Sequence, residues 1–171
     1  MRFTSASILL ASALALSASS GLGQKSASAG APSPRAAEWI ARGKAALAAG
    51  ALDHARDAYE TALILAPRQA AIYLDLAKIA RAQKLPGKAI RYYGRALELE
   101  PSNQLALQGE GLAKMDKGAT ESARETLARL RALCKANCAS ADPLAAAIAA
   151  GTAKVAVAEA PQVAQPQVEQ Q

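Results

Sequence analysis

Residues 36–69 read AAEWIARGKAALAAGALDHARDAYETALILAPRQ, and residues 70–103 read AAIYLDLAKIARAQKLPGKAIRYYGRALELEPSN. Laid over one another at an offset of 34, they share 11 identities in 34 pairs. Six of these are Ala pairs, which an Ala-rich chain produces by composition alone. The other five are Lys44/Lys78, Tyr59/Tyr93, Leu63/Leu97, Leu65/Leu99 and Pro67/Pro101, and their fixed spacing marks a repeated structural unit. The chain is 51% hydrophobic but only 4% aromatic, so its bulk is Ala and Leu, the residues that cost least in a helix. A strand-rich fold would want Val, Ile, Thr and aromatics in alternation. Small side chains fill little volume, so a core made of them demands closely spaced helices.

Within each unit the placement of residues is specific. The first has Trp39, Gly43, Ala55, Tyr59, Ala62 and Pro67; the second has Tyr73, Ala77, Ala89, Tyr93, Ala96 and Pro101. Gly43 or Ala77 on a first helix and Ala55 or Ala89 on a second let two backbones approach. Pro67 and Pro101 end the second helix, because proline lacks an amide donor and disfavours helix in the residue before it. Asp53 stands where a helix N-cap is wanted. This pattern resembles the tetratricopeptide repeat, a helix–turn–helix unit of 34 residues. All six template positions of that family are filled twice, and the resemblance covers about 100 of the 171 residues. It implies an all-α, right-handed solenoid in which Tyr59 and Tyr93 reach toward the neighbouring helix pair.

A third unit, 104–137, keeps Gly111, Gly118 and Ala123 but has Leu107, Leu127 and Leu130 where aromatics and Ala are expected, and it lacks the terminal Pro. Terminal repeats depart in this way because one side has no neighbour. Asp142-Pro143 then reads as a cap followed by proline at the first helical position, and Gly151 as the close of a short helix over 142–150. Leu144, Ala145 and Ile148 of that helix would seal the open end. The expected domain thus runs from 36 to 151, with repeats at 36–69, 70–103 and 104–137, and seven helices in all.

The flanks differ in kind. Met1-Arg2 followed by the apolar run Ile8 to Leu16 and small residues from Ser17 reads as a secretory signal over 1–23, with cleavage as late as 29. The apolar run is too short to span a bilayer, which takes roughly 20 residues. Residues 24–35 read as a flexible linker and 152–171 as a disordered Pro/Gln-rich tail, too poor in bulky side chains to offset its ordering entropy. Export implies the periplasm or the exterior, and argues against nucleic acid as the explanation of the +6 formal charge. No later segment is apolar and long enough to be a transmembrane span. In an oxidising compartment the only two cysteines, Cys134 and Cys138, are expected to pair, clipping the last repeat to its cap. Four residues apart, they would share one helix face, and the bond is feasible if the helix loosens near Asn137.

Nothing points to catalysis. His54, the single histidine, has no Ser or Cys at nucleophile–base spacing, and two thiols with one distant histidine do not complete a metal site. Phosphate-binding glycine loops are absent. We therefore expect no enzyme and no cofactor. By resemblance, the inner surface of the solenoid carries Ala37, Ile40, Lys44 and Leu47, then Ala71, Leu74, Lys78 and Arg81, then Leu105, Gln108, Leu112 and Met115. Such a groove, apolar with three cations, suits a peptide with apolar anchors and an acidic residue. It does not match the carboxylate clamp of chaperone-binding relatives, since Ile40, Lys44, Asp75, Leu105 and Gly109 stand at the clamp positions. Six basic residues and no acidic ones lie between Lys78 and Arg95. Three of them, Lys88, Arg91 and Arg95, share an outer helix face. That face is expected to be solvated, with contact to an anionic surface as the other reading. The leading expectation is an adaptor that holds an unidentified envelope protein in its groove. The second is a structural component that self-assembles through its unpaired ends.

Overall fold

The structure is a computed structural model that describes residues 30–134 and 138–158. Its helices are α1 (Pro34–Ala48), α2 (Leu52–Leu65), α3 (Ala70–Ala82), α4 (Pro86–Leu99), α5 (Gln104–Asp116), α6 (Thr120–Leu133) and α7 (Asp142–Ala158), with no strand among the described residues. The expected signal segment, residues 24–29 of the linker and residues 159–171 of the tail lie outside this range.

One turn, used three times, builds the hairpins. Gly50, Lys84 and Gly118 follow the first helix of successive repeats, 34 residues apart, and each has a positive φ, of 72°, 60° and 82°. In each case the next amide reaches back across the turn: Ala51 N–H to Ala46 O, Leu85 N–H to Ala80 O, Ala119 N–H to Lys114 O, at 2.8–2.9 Å. The positive-φ residue itself donates to Leu47, Arg81 or Met115 O, at 2.9–3.0 Å. This double bond pattern closes a helix whose last residue must turn left-handed, where glycine costs nothing and lysine pays for its Cβ. Connections between repeats lack the left-handed residue: Gln69 N–H donates to Ala66 O at 3.3 Å and Asn103 N–H to Glu100 O at 3.0 Å, and only Asn103 adds a side-chain cap, accepting the Ala106 N–H at 2.9 Å.

Each helix packs first on its hairpin partner, then on the next hairpin, in the order of the chain: α1 on α2, α2 on α3, α3 on α4, α4 on α5, α5 on α6. Alanines make the close contacts. Ala55, Ala62, Ala89, Ala96 and Ala123 are wholly buried. Tyrosine rings fill the gaps at close approaches, Tyr59 within the first hairpin and Tyr93 between the second and third. The Tyr59 ring lies against Gly43, where a Cβ would stand 2.7 Å from its Cε2, and the Tyr93 ring lies so close to Gly109 that a Cβ there would overlap it. In the third repeat Leu107, Leu127 and Leu130 are buried and do fill the core. Leu144 and Ile148 of α7 pack with them, covering α5 and α6 as the capping reading requires.

Several expectations need correction. The linker does not reach residue 35: Ser33 accepts the Ala36 N–H at 3.2 Å and Pro34 opens α1. Asp53 is not the N-cap of α2, which is Ala51; it sits in the first turn, where it pairs with Arg56 at 2.9 Å and accepts from Gln83 Nε2 at 2.9 Å. Gly151 does not close the last helix. The helix starts at Asp142 and continues through Gly151 to Ala158, so the tail reading fails over 152–158. Cys134 and Cys138 are bonded, with Cα atoms 5.5 Å apart, but not from one helix face: Cys134 is the extended C-cap of α6, so the bond spans the connection to α7.

Candidate interaction surface

The two helices of a repeat occupy different environments. The backbones of the first helices α3 and α5 touch, whereas the second helices α2 and α4 are joined through long side chains. By the sequence's resemblance to the repeat family, α1, α3 and α5 would form the inner wall of the stack. The buried Tyr59 links α1 to α3, since its ring meets Gly43 while the Asp75 charge acts on its hydroxyl. Tyr93 does the same between α3 and α5, its ring on Gly109 and its hydroxyl under the influence of Arg81 and Asp116. Burial raises both phenol pKa values, and the carboxylates add to it; at Tyr93 the Arg81 guanidinium opposes the shift. The Tyr59 hydroxyl is buried, and no acceptor or donor lies within 3.5 Å of it in hydrogen-bonding geometry among the described residues; the Asp75 carboxylate is the polar group that acts on it.

On this wall the residues expected from sequence divide into three groups. Ile40, Leu47, Gln108, Leu112 and Met115 are half-buried, their apolar members seated on the core while part of each faces out. Leu74 is 8% exposed and belongs to the core, so it offers little to a ligand. The cations form the third group. Lys78 pairs with Asp75 at 3.0 Å and Arg81 with Asp116 at 2.8 Å, while Lys44 is exposed and has no carboxylate within 4.0 Å among the described residues. The wall is therefore not a three-cation groove. Two positive charges are locally balanced, and one is open. Both carboxylates had a signal in the sequence. Asp75 lies three residues before Lys78, and Asp116 falls, one repeat on, beside the position of Arg81. At the mouth of this region Arg81, Lys84, Pro86 and Asp116 line a recess of about 250 Å³.

On the basic face of α4, two of the three cations are likewise paired. Lys88 lies 3.5 Å from Glu60 and 5.6 Å from the Tyr92 ring, and Tyr92 donates to the same carboxylate at 3.2 Å. Arg95 pairs with Glu98. Arg91 is exposed and, among the described residues, is the one of the three without such a pair. A pairing that sequence reading missed lies between α5 and α6: Lys114 donates to the buried Thr126 Oγ1 at 2.8 Å and sits 3.3 Å from Glu110. These two charges replace Leu76 and Ala80 of the preceding repeat. His54 is exposed at the start of α2. No group of three or more His, Cys, Asp or Glu among the described residues is placed to hold a metal, and no described helix is long and apolar enough to cross a membrane.

No protein-family model matches the chain, and no curated protein matches it in sequence. Solved structures do match. The TPR2B domain of yeast Sti1, in its pHsp70 complex, superposes with a TM-score of 0.64 at 23% identity, covering 70% of this chain and 98% of that one. PcrH in complex with the chaperone-binding region of PopD gives 0.63 at 20% identity, over 74% and 97%. The Sgt2 TPR domain from Aspergillus fumigatus gives 0.61 at 22% identity, over 82% and 91%. Repeated turns, alanine-mediated packing and these superpositions agree: the chain has the fold of the tetratricopeptide repeat, as three helical hairpins and a capping helix.

Proposed function

We propose that this protein is an interaction adaptor whose inner wall, formed by α1, α3 and α5, holds a segment of another protein. The observation that carries this reading is the chemistry of that wall. On α1, half-buried Ile40 and Leu47 flank a single cation, Lys44, that has no carboxylate in reach among the described residues, and half-buried Leu112 and Met115 lie two helices away on α5. Such a surface recognises apolar anchors and one carboxylate, and needs no cofactor to do so. Two of the similar structures are complexes, with pHsp70 and with the chaperone-binding region of PopD, on the same fold, which supports the reading by analogy of fold. The N-terminal segment, read as a secretory signal, supports a location outside the cytoplasm; a mature N-terminus found by mass spectrometry between residues 20 and 30 agrees, and an intact Met1 in the fractionated protein refutes it. Partner capture tests the groove. After crosslinking in the native cell, Lys44→Glu should lower recovery of the bound protein at least about tenfold with helicity unchanged, a loss of about 1.4 kcal/mol. Undiminished recovery overturns the groove reading. Lys78→Glu, which removes a charge already balanced by Asp75, should have the smaller effect.

A further inference from the structure

The groove's chemistry has a counterpart in the same chain. Residues 159–171, EAPQVAQPQVEQQ, contain two acidic residues and no basic one, and they repeat Pro-Gln-Val at 161–163 and 166–168. Two valines five residues apart with a glutamate directly after the second, Val163, Val168 and Glu169, are apolar anchors followed by a carboxylate. We propose that this C-terminal segment is an intramolecular occupant of the groove, a tethered pseudo-ligand that a partner must displace. The inference rests on the groove reading above and adds to it a mode of regulation.

The path of α7 brings the segment to the right place. Leu144 packs into Gly111, and seven residues later Gly151 lies against Met115, where an added Cβ would stand 2.8 Å from the Met115 Cε. Both α7 contacts fall on α5, and the second is at the end of the groove wall. Helix α7 then runs seven residues further, to Ala158, about 10 Å at the helical rise. From there Glu159 to Val163 reach back about 15 Å when extended, enough to seat Val163 at Leu112 and Met115.

Spacing along the groove agrees. In the extended conformation that proline favours, Val163 and Val168 stand about 15 Å apart, at about 3.1 Å per residue. Two steps between packed helices, from α5 to α1, cover about 16–20 Å. Val168 thus arrives at Ile40 and Leu47, and Glu169 beside Lys44, the one groove cation without a carboxylate among the described residues. Pro161 and Pro166 restrict the free segment, which lowers the entropy lost on seating it. Tethering supplies an effective concentration on the order of millimolar, so even a weak contact keeps the groove largely filled.

A nitroxide on Gln170→Cys in the otherwise intact chain tests the assignment, since the native cysteines are bonded to each other. The amides from Ile40 to Leu47 should broaden, and Val163→Asp with Val168→Asp should abolish the broadening. In a mixture of spin-labelled chain at natural abundance with unlabelled, nitrogen-15 chain, the same amides should stay sharp. No broadening in the labelled chain overturns the proposal. Broadening in the mixture overturns it too, in favour of a second copy as occupant. The valine double variant should also raise partner capture about three- to tenfold. If broadening is absent while Lys44→Glu still abolishes capture, the tethered occupant fails and the groove reading stands.

Discussion

Two residue types carry the close contacts, and each makes a measurable statement. Gly109 and Gly94 are both helical, but a Cβ on Gly109 runs into the Tyr93 ring while one on Gly94 meets nothing within 4 Å. Ala is favoured over Gly in a helix by about 1 kcal/mol, so Gly94→Ala should stabilise by about that amount in chemical denaturation. Gly109→Ala should instead destabilise by about 1–3 kcal/mol, because overpacking a rigid ring outweighs the propensity gain. Equal effects at the two sites would mean that the tyrosine wedge is not tight. Tyr59 makes the converse case. Its buried hydroxyl makes no hydrogen bond within 3.5 Å among the described residues and has only the nearby Asp75 carboxylate to interact with, so Tyr59→Phe should be neutral to stabilising, by up to about 1 kcal/mol in the denaturation midpoint. The sign of its pH dependence follows from the raised phenol pKa. The folded state holds the Tyr59 proton more tightly than the unfolded chain, whose phenols ionise at about pH 10. Stability is therefore intact below that pH and is lost as pH rises above it. Tyr59→Phe should make that alkaline decline shallower.

Elements here are defined as much by their turns as by their helices. The left-handed position recurs at Gly50, Lys84 and Gly118, and only the middle repeat fills it with a side chain. Lys84→Gly should relieve that cost and raise stability by about 1 kcal/mol, measured as a shift in the urea midpoint. A neutral or destabilising result would show that the Lys84 side chain makes a compensating contact at the recess it lines with Arg81 and Asp116. At the far end, α7 holds by few large side chains. Leu144 is wholly buried against Gly111, so Leu144→Ala should cost about 2–5 kcal/mol and loosen α7 from α5 and α6, read as faster amide exchange through α7. Helix positions of this kind were legible in the sequence because the period fixes them: Tyr59, Tyr93, the alanines and the terminal prolines repeat together. Helix ends were less so. Ser33-Pro34 opens α1 from inside a stretch that composition marks as linker, because one serine cap and one proline outweigh the surrounding Gly and Ala. Gly151 failed as a stop because it faces Met115, where a missing Cβ serves packing instead of a turn.

At the scale of the molecule, the period gave away the order of stacking, but not the charge state of the groove. Apolar wall positions are set by the register of each first helix. Ion pairs depend on side chains that meet across repeats, as Arg81 meets Asp116, and a list of cations alone reads such a wall as more positive than it is. The same stacking sets the distribution of stability. In an array whose units contact only their neighbours, a central unit is held from both sides and an end unit from one. Helix α3 buries eight residues, among them Ile72, Leu76 and Ile79, whereas α1 buries only Ala36 and Gly43. The C-terminal end has α7 and the Cys134–Cys138 bond behind it, and α1 has neither. Opening should therefore begin at α1. Hydrogen exchange should show α1 amides exchanging first and α3 and α4 last, with opening free energies at α1 several kcal/mol below the global value. The order matters for binding, because α1 carries Ile40, Lys44 and Leu47, the uncompensated end of the wall. An occupant seated there ties the least stable helix to the most stable ones. Valine variants that empty the groove should accelerate exchange in α1 selectively and leave α3 unchanged, whereas uniform protection across α1 and α3 would contradict a solenoid that frays from its N-terminal repeat.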